Sequence, residues 1–132
     1  MPTIFTRIIN REIPAYILKE DNRYLCMLDA FPTTRGHALV VPKTETDRLF
    51  DLDDRYLEGM LSFAKPVANA IREVTGADRV NIMTFGFEVP HAHLHLVPMN
   101  DMAIVGDFMK KIKQSPKEFE EMQRQIIEKL AG

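Results

Sequence analysis

Apolar positions along the chain recur with two periods, and each switch between them marks an element. Ile4, Phe5, Ile8 and Ile9 are spaced as one face of a short helix, and Ile13-Pro14 then turns the backbone towards extended structure. Tyr16 to Lys19 and Tyr24 to Asp29 read as strands joined by Glu20-Asp21-Asn22-Arg23, a polar run of turn formers that predicts a hairpin. Asp29-Ala30-Phe31-Pro32 ends the second strand, and Phe31 to Gly36 is expected to be a loop. Ala38-Leu39-Val40-Val41 is apolar and β-branched enough for a central strand, which Pro42 stops.

Helical spacing returns after the acidic start Asp51, Asp53 and Asp54. Tyr56, Leu57, Met60, Leu61, Ala64, Val67, Ala68, Ile71 and Val74 follow at three- and four-residue intervals, and Gly76 supplies a C-cap. Pro66 inside this pattern removes one backbone hydrogen bond and predicts a kink or a division of the helix. Arg79 to Phe85 alternates again, with Val80, Ile82 and Thr84 on one side and Asn81, Met83 and Phe85 on the other. Phe85-Gly86-Phe87 turns into a second alternating run, His91 to Pro98. Asn100 to Gly106 is expected to be a loop. Ser115-Pro116-Lys117-Glu118 is a capping box with proline at the first helical position, ahead of a narrow stripe of Phe119, Met122, Ile126 and Leu130. The stripe packs on this subunit or on a neighbouring one, and the charges around it form a solvated face. Together these elements predict an α+β fold: a mostly antiparallel sheet of about five strands, one long central helix and a C-terminal helix.

A length of 132 residues suits one domain spanning 1–132. With 17 basic and 19 acidic residues the net charge is −2, which argues against the uniform basic face that a long nucleic acid requires. The opening residues lack a basic segment followed by an apolar one. No later run approaches the roughly 20 apolar residues of a membrane span, so the expectation is a cytoplasmic protein without a membrane partner. Cys26 is the only cysteine, so no internal disulfide forms, and among Leu25, Met27 and Leu28 it reads as a small buried hydrophobe.

The candidate chemistry lies in the histidines. On a strand, His91, His93 and His95 share one face while Ala92, Leu94 and Leu96 share the other; a helix would scatter both sets. The remaining histidine is His37, just before the central strand. Crowded imidazoles repel when protonated, so a fold that gathers them keeps most of them neutral near pH 7, able to act as nucleophile, base or ligand. Alternating histidines with a distant fourth also fit zinc ligation, although no carboxylate or cysteine lies within the run. Asp29 reads equally as a turn residue ahead of Pro32 and as a hydrogen-bond acceptor. The apolar residues near the N-terminus read as core.

The ordered combination of Asp29-Ala30-Phe31-Pro32, Gly36-His37-Ala38-Leu39-Val40-Val41-Pro42-Lys43 and His91-Ala92-His93-Leu94-His95-Leu96-Val97 resembles the histidine triad (HIT) family of nucleotide hydrolases and transferases, in its nucleoside phosphoramidase-like branch. Ile4-Phe5, Ile8-Ile9 and Glu12-Ile13-Pro14 are similar to the family's opening segment. The resemblance therefore covers residues 4–99, with 100–132 as a C-terminal loop and helix.

This resemblance implies a small α+β protomer, paired as a homodimer by extending the sheet, that binds a purine nucleotide and requires no cofactor or metal. In the family the middle histidine attacks the α-phosphorus and forms a nucleotidyl-histidine intermediate, which here is His93. By the same matching His91 orients it, and His95 and His37 contact the phosphate or the leaving group. Asp29 matches the ribose-binding acid, Asn81 an asparagine near the phosphate, and Ile4, Phe5, Ile8, Ile13 and Met27 the lining of the base pocket. The implied reaction releases a nucleoside monophosphate from a purine nucleoside phosphoramidate or a dinucleotide. Two positions depart from the pattern: Phe87 stands where a glutamine is common, and Glu88 where a small hydroxyl residue is common. Both are candidate leaving-group contacts; Glu88 either selects a cationic or amine-bearing group or faces solvent. The alternatives are a nucleotide-binding or scaffolding protein with little turnover, towards which Phe87 points, and a histidine metal site.

Overall fold

The computed structural model describes residues 2–132. Helix α1 (Ile4–Ile9) starts at Thr3, whose side chain accepts from the Thr6 N–H, so its short apolar face is held by a cap as well as by packing. Strands β1 (Ile17–Glu20), β2 (Tyr24–Leu28) and β3 (Ala38–Pro42) follow. Helix α2 (Asp54–Thr75) leads to β4 (Arg79–Met83) and β5 (Leu94–Met99). Helices α3 (Ala103–Gly106) and α4 (Pro116–Ala131) complete the chain. The strands form one sheet in the order β1-β2-β3-β5-β4, antiparallel at every pair, as the expected α+β architecture requires.

Strand alternation divides the sheet into two faces. Tyr24, Cys26, Leu28, Ala38, Val40, Leu94 and Leu96 point into the larger apolar cluster, with Met60, Phe63, Val67 and Ile71 of α2 and Phe119, Met122 and Ile126 of α4. Leu25, Met27, Leu39 and Val41 face the other way, against Phe5 and Ile8 of α1. Central strands covered on both faces read as nearly continuous apolar runs, and β2, β3 and β5, apolar but for His95, are buried along their whole length. The stripe on α4 therefore packs on its own subunit. Phe119 stacks on Tyr16 with ring centroids 4.9 Å apart, and Gln123 donates to the Ile17 carbonyl at 2.9 Å.

Several elements differ from the sequence reading. Helix α2 is undivided: Pro66 lies on its exposed side, where the missing backbone hydrogen bond is open to solvent. Its buried stripe runs through Met60, Phe63, Ala64, Val67, Ala70 and Ile71, while Leu61 is 58 % exposed. Strand β4 ends at Met83, short of Phe85. The histidine run enters the sheet only at Leu94, because its ladder with β3 ends at the Val40 and Leu94 pair. Beyond that pair Pro42 has no N–H to donate and its carbonyl takes the His91 ring, while the Ala92 N–H turns to the Thr46 carbonyl. The stretch expected as a loop from Asn100 to Gly106 contains the helical turn α3, opened by Asp101 accepting from the Ala103 N–H. Cys26 is buried as expected, and burial pushes its thiol up to about 12.

Candidate active site

The four histidines converge on the α1 side of the sheet. His37 is placed by Gly36, which turns the chain into β3 with φ +92; a Cβ there would lie 2.9 Å from Thr75 Cγ2, so this approach to α2 requires glycine. His95 stands on β5 opposite Leu39, and its ring centroid is 5.1 Å from that of His37 and 5.1 Å from that of His93. His93 retains 6 % exposure and belongs to neither apolar cluster; its neighbours are His95 and Phe5, whose centroid is 4.9 Å away.

Hydrogen bonds assign a proton to each ring. The Thr33 N–H donates to His37 Nδ1 at 2.9 Å, so neutral His37 carries its hydrogen on Nε2, which points at His95 Nδ1 2.9 Å away. His95 Nδ1 is thereby an acceptor, and its hydrogen is on Nε2. His93 Nδ1 lies 2.7 Å from the His91 carbonyl, which can only accept. The hydrogen is therefore on Nδ1, and in the neutral ring Nε2 keeps its lone pair. His91 is pinned at both ends: Nε2–H donates to the Pro42 carbonyl at 2.9 Å, and Nδ1 accepts from the Thr3 hydroxyl at 2.7 Å. Glu45 anchors this end, accepting from the Thr3 N–H at 2.7 Å and the Thr6 hydroxyl at 2.7 Å.

Burial favours the uncharged forms of His37, His91 and His95. Desolvation, followed by the repulsion that a protonated His95 and the Lys111 ammonium would exert, pushes His37 down to about 3. Desolvation, with His93 and Lys111, pushes His95 down to about 4. His91 is also lowered, chiefly by burial, against the opposing pull of the Pro42 carbonyl and Glu45. In its neutral form His93 presents an unoccupied Nε2 lone pair beside the N–H donor of His95. That pairing suits attack on an electrophilic centre that carries oxygens to be stabilised.

Asp29 sits beside this pair. Its Oδ1 accepts from the Phe31 N–H at 2.8 Å, while Oδ2 lies 3.4 Å from His37 Nε2 and 3.9 Å from His95 Nδ1; burial raises its pKa. Phe5, Ile8 and Met27 are buried together under α1, with Ile13 partly buried beside them and Ile4 48 % exposed. Phe5 meets both His91 and His93 edge-on, which joins this apolar cluster to the histidines. Asn81, on edge strand β4, directs its amide to the Met99 sulfur at 2.8 Å. Phe87 is fully exposed, and Glu88 is exposed without an ion pair among the described residues.

Thr3, Thr33, Glu45, Phe85, Phe108 and Lys111 belong to the site without having been singled out from the sequence. Phe85 lies 5.7 Å from His95, and Phe108 lies 5.2 Å from His95 and 5.8 Å from His37, centroid to centroid. Among the described residues, Asp29, His37 and His95 offer ligand atoms for a metal ion within 4.8 Å of one another. Such an ion would have to displace the hydrogen on His37 Nε2, which the Thr33 N–H holds there by occupying Nδ1.

Residues 10–102 match the family model described as HIT domain. The chain is 30 % identical, over 98 % of its length and 99 % of the relative's, to "Adenosine 5'-monophosphoramidase hnt1" of Schizosaccharomyces pombe. It is 32 % identical to "Adenylylsulfatase HINT3" of Arabidopsis thaliana, over 74 % of this chain and 52 % of that one. The crystal structure of a "ZN-bound histidine triad family protein" from Mycobacterium smegmatis superposes with a TM-score of 0.79, at 35 % identity over 97 % of this chain and 92 % of that one. No helix among the described residues is long and apolar enough to cross a membrane. By its family match, its relatives and its fold, the chain belongs to the histidine triad family.

Proposed function

We propose that this protein hydrolyses a purine nucleoside phosphoramidate or dinucleotide at the α-phosphorus and releases a nucleoside monophosphate. The observation that carries this reading is the 2.7 Å contact from His93 Nδ1 to the His91 carbonyl, which places the hydrogen of the neutral ring on Nδ1 and leaves the Nε2 lone pair for attack. In the first step Nε2 of His93 bonds to phosphorus, and the bond to the leaving group breaks with its electron pair on the departing atom, which takes up a proton from solvent where it is an amine and none where it is an oxyanion. His93 then carries positive charge, which its Nδ1–H shares with the His91 carbonyl. In the second step water attacks the same phosphorus, and the phosphorus–nitrogen bond breaks back onto His93. The nucleoside monophosphate leaves, and one proton is released. The Nε2–H of His95 donates to the phosphoryl oxygens or the departing atom.

The apolar cluster of Phe5, Ile8, Ile13 and Met27, next to the half-exposed Ile4, is the surface on which the base would lie, with Asp29 taking the ribose. Asn81 would reach the phosphate only by leaving Met99. The activity named for the relative from Schizosaccharomyces pombe supports the phosphoramidate substrate, and that named for the Arabidopsis relative supports a sulfate-bearing one. Edge strand β4, with Ile82 51 % exposed, supports pairing of two copies by extension of the sheet. The hydrogen bond from Thr33 to His37 supports a reaction without a resident metal. Incubation with adenosine 5′-phosphoramidate, adenosine 5′-phosphosulfate and diadenosine polyphosphates tests the proposal. Release of AMP from at least one is expected; release from none contradicts it.

A further inference from the structure

The family match ends at residue 102, yet the next segment builds one wall of the histidine cluster. Residues 107–112 are strapped onto the loop before His37. The Thr33 hydroxyl donates to the Phe108 carbonyl at 2.8 Å, the Ile112 N–H donates to the Pro32 carbonyl at 2.9 Å, and Lys111 Nζ donates to Thr33 Oγ1 at 3.0 Å. The Phe108 ring packs on His95, His37 and Phe85, and the Lys111 ammonium rests 4.1 Å above that ring. A cation is thus fixed one residue away from the His37 and His95 pair. Thr33 carries Lys111 on its hydroxyl and His37 on its N–H.

We infer that the Phe108–Lys111 strap is a leaving-group subsite that selects an oxyanion, sulfate or phosphate, over an amine. This rests on the nucleotide-hydrolase reading and deepens it. Lys111 uses one donor on Thr33 and retains others for an anionic group departing past His95. An oxyanion leaves with the electron pair of the broken phosphorus–oxygen bond and needs no proton. An amine must gain one, and His37 and His95 are both held neutral near pH 7 with no imidazolium proton to give. The charge of Lys111 reaches Asp29, His37 and His95, lowering the pKa of each, as expected of an ammonium beside the site. Glu88 also approaches from the opposite loop, but no side-chain hydrogen bond or ion pair among the described residues fixes its carboxylate.

The test compares kcat/KM for adenosine 5′-phosphosulfate, which expels sulfate, and adenosine 5′-phosphoramidate, which expels ammonia, in the wild-type protein and in Lys111→Gln, Lys111→Arg and Phe108→Ala. The ratio of sulfate to ammonia substrate is expected to fall about tenfold or more in Lys111→Gln. It should recover largely in Lys111→Arg and fall by a smaller factor in Phe108→Ala, where the ammonium loses its ring. A ratio unchanged across all three variants overturns the inference while leaving the nucleotide-hydrolase reading intact. Equal losses on both substrates mark the strap as structural and overturn it likewise. A wild-type protein that hydrolyses neither substrate, nor any dinucleotide, overturns both.

Discussion

His93 is oriented by the main chain of His91: its Nδ1 is 2.7 Å from the His91 carbonyl, and the His91 ring serves to hold that carbonyl still. The two contacts that fix the ring come from distant parts of the chain, the Thr3 hydroxyl and the Pro42 carbonyl. Thr3 also caps α1, so one hydroxyl joins that helix to the ring that holds the candidate nucleophile.

Thr3→Val is therefore expected to cost about 1–3 kcal/mol of stability, from the unpaired buried His91 Nδ1 and the lost cap. It should also lower kcat more than it raises KM. Thr3→Ser should restore most of both. Urea denaturation and steady-state kinetics on the three proteins check this; a Thr3→Val protein with wild-type stability contradicts it.

His37 and His95 make folding pH-dependent in a stated direction. Their folded values, about 3 and about 4, lie below the ordinary 6.5, so between these limits the unfolded chain binds more protons than the folded one. The stability they contribute is complete above about pH 6.5 and is lost as pH falls towards 4. Asp29, raised by burial, opposes this weakly, because protonation favours its folded form. Urea midpoints from pH 7 to pH 4 should fall, and the slope should be shallower in His37→Gln. An equal slope in that variant would argue against neutral burial of His37.

Gly36→Ala places a Cβ 2.9 Å from Thr75 Cγ2 at φ +92. A cost of about 1–3 kcal/mol is expected, with a loss of activity larger than the loss of stability explains, because His37 is the next residue. Thermal unfolding and kinetics separate the two effects.

A strong chelator should leave turnover unchanged, since the Thr33 N–H keeps His37 Nε2 protonated. Loss of activity on dialysis against chelator, with recovery on adding one metal, would restore the metal reading of Asp29, His37 and His95.

Much of the sheet was legible because alternation and apolar runs are local signals: β2, β3 and the capping box of α4 stand where the residues put them. The histidine alternation correctly separated the rings from Ala92, Leu94 and Leu96 even though the strand itself begins only at Leu94. What was not legible depends on contacts distant in sequence. Nothing near Thr3 shows that its hydroxyl meets a residue 88 positions on, and no periodicity in 107–112 shows that Phe108 and Lys111 fold back on Thr33. Leu61 was misplaced because it adjoins the buried stripe of α2 in sequence while pointing about 100° away from Met60 around the helix.

Capture of the covalent species tests the central claim most directly. The protein is mixed with adenosine 5′-phosphosulfate or adenosine 5′-phosphoramidate, quenched within one turnover at alkaline pH and examined by peptide mass spectrometry. An adenylyl group on His93 is expected, together with loss of turnover on the order of 10⁴-fold in a folded His93→Ala protein. Turnover retained in that variant, or an adenylyl group on another residue, would contradict the account.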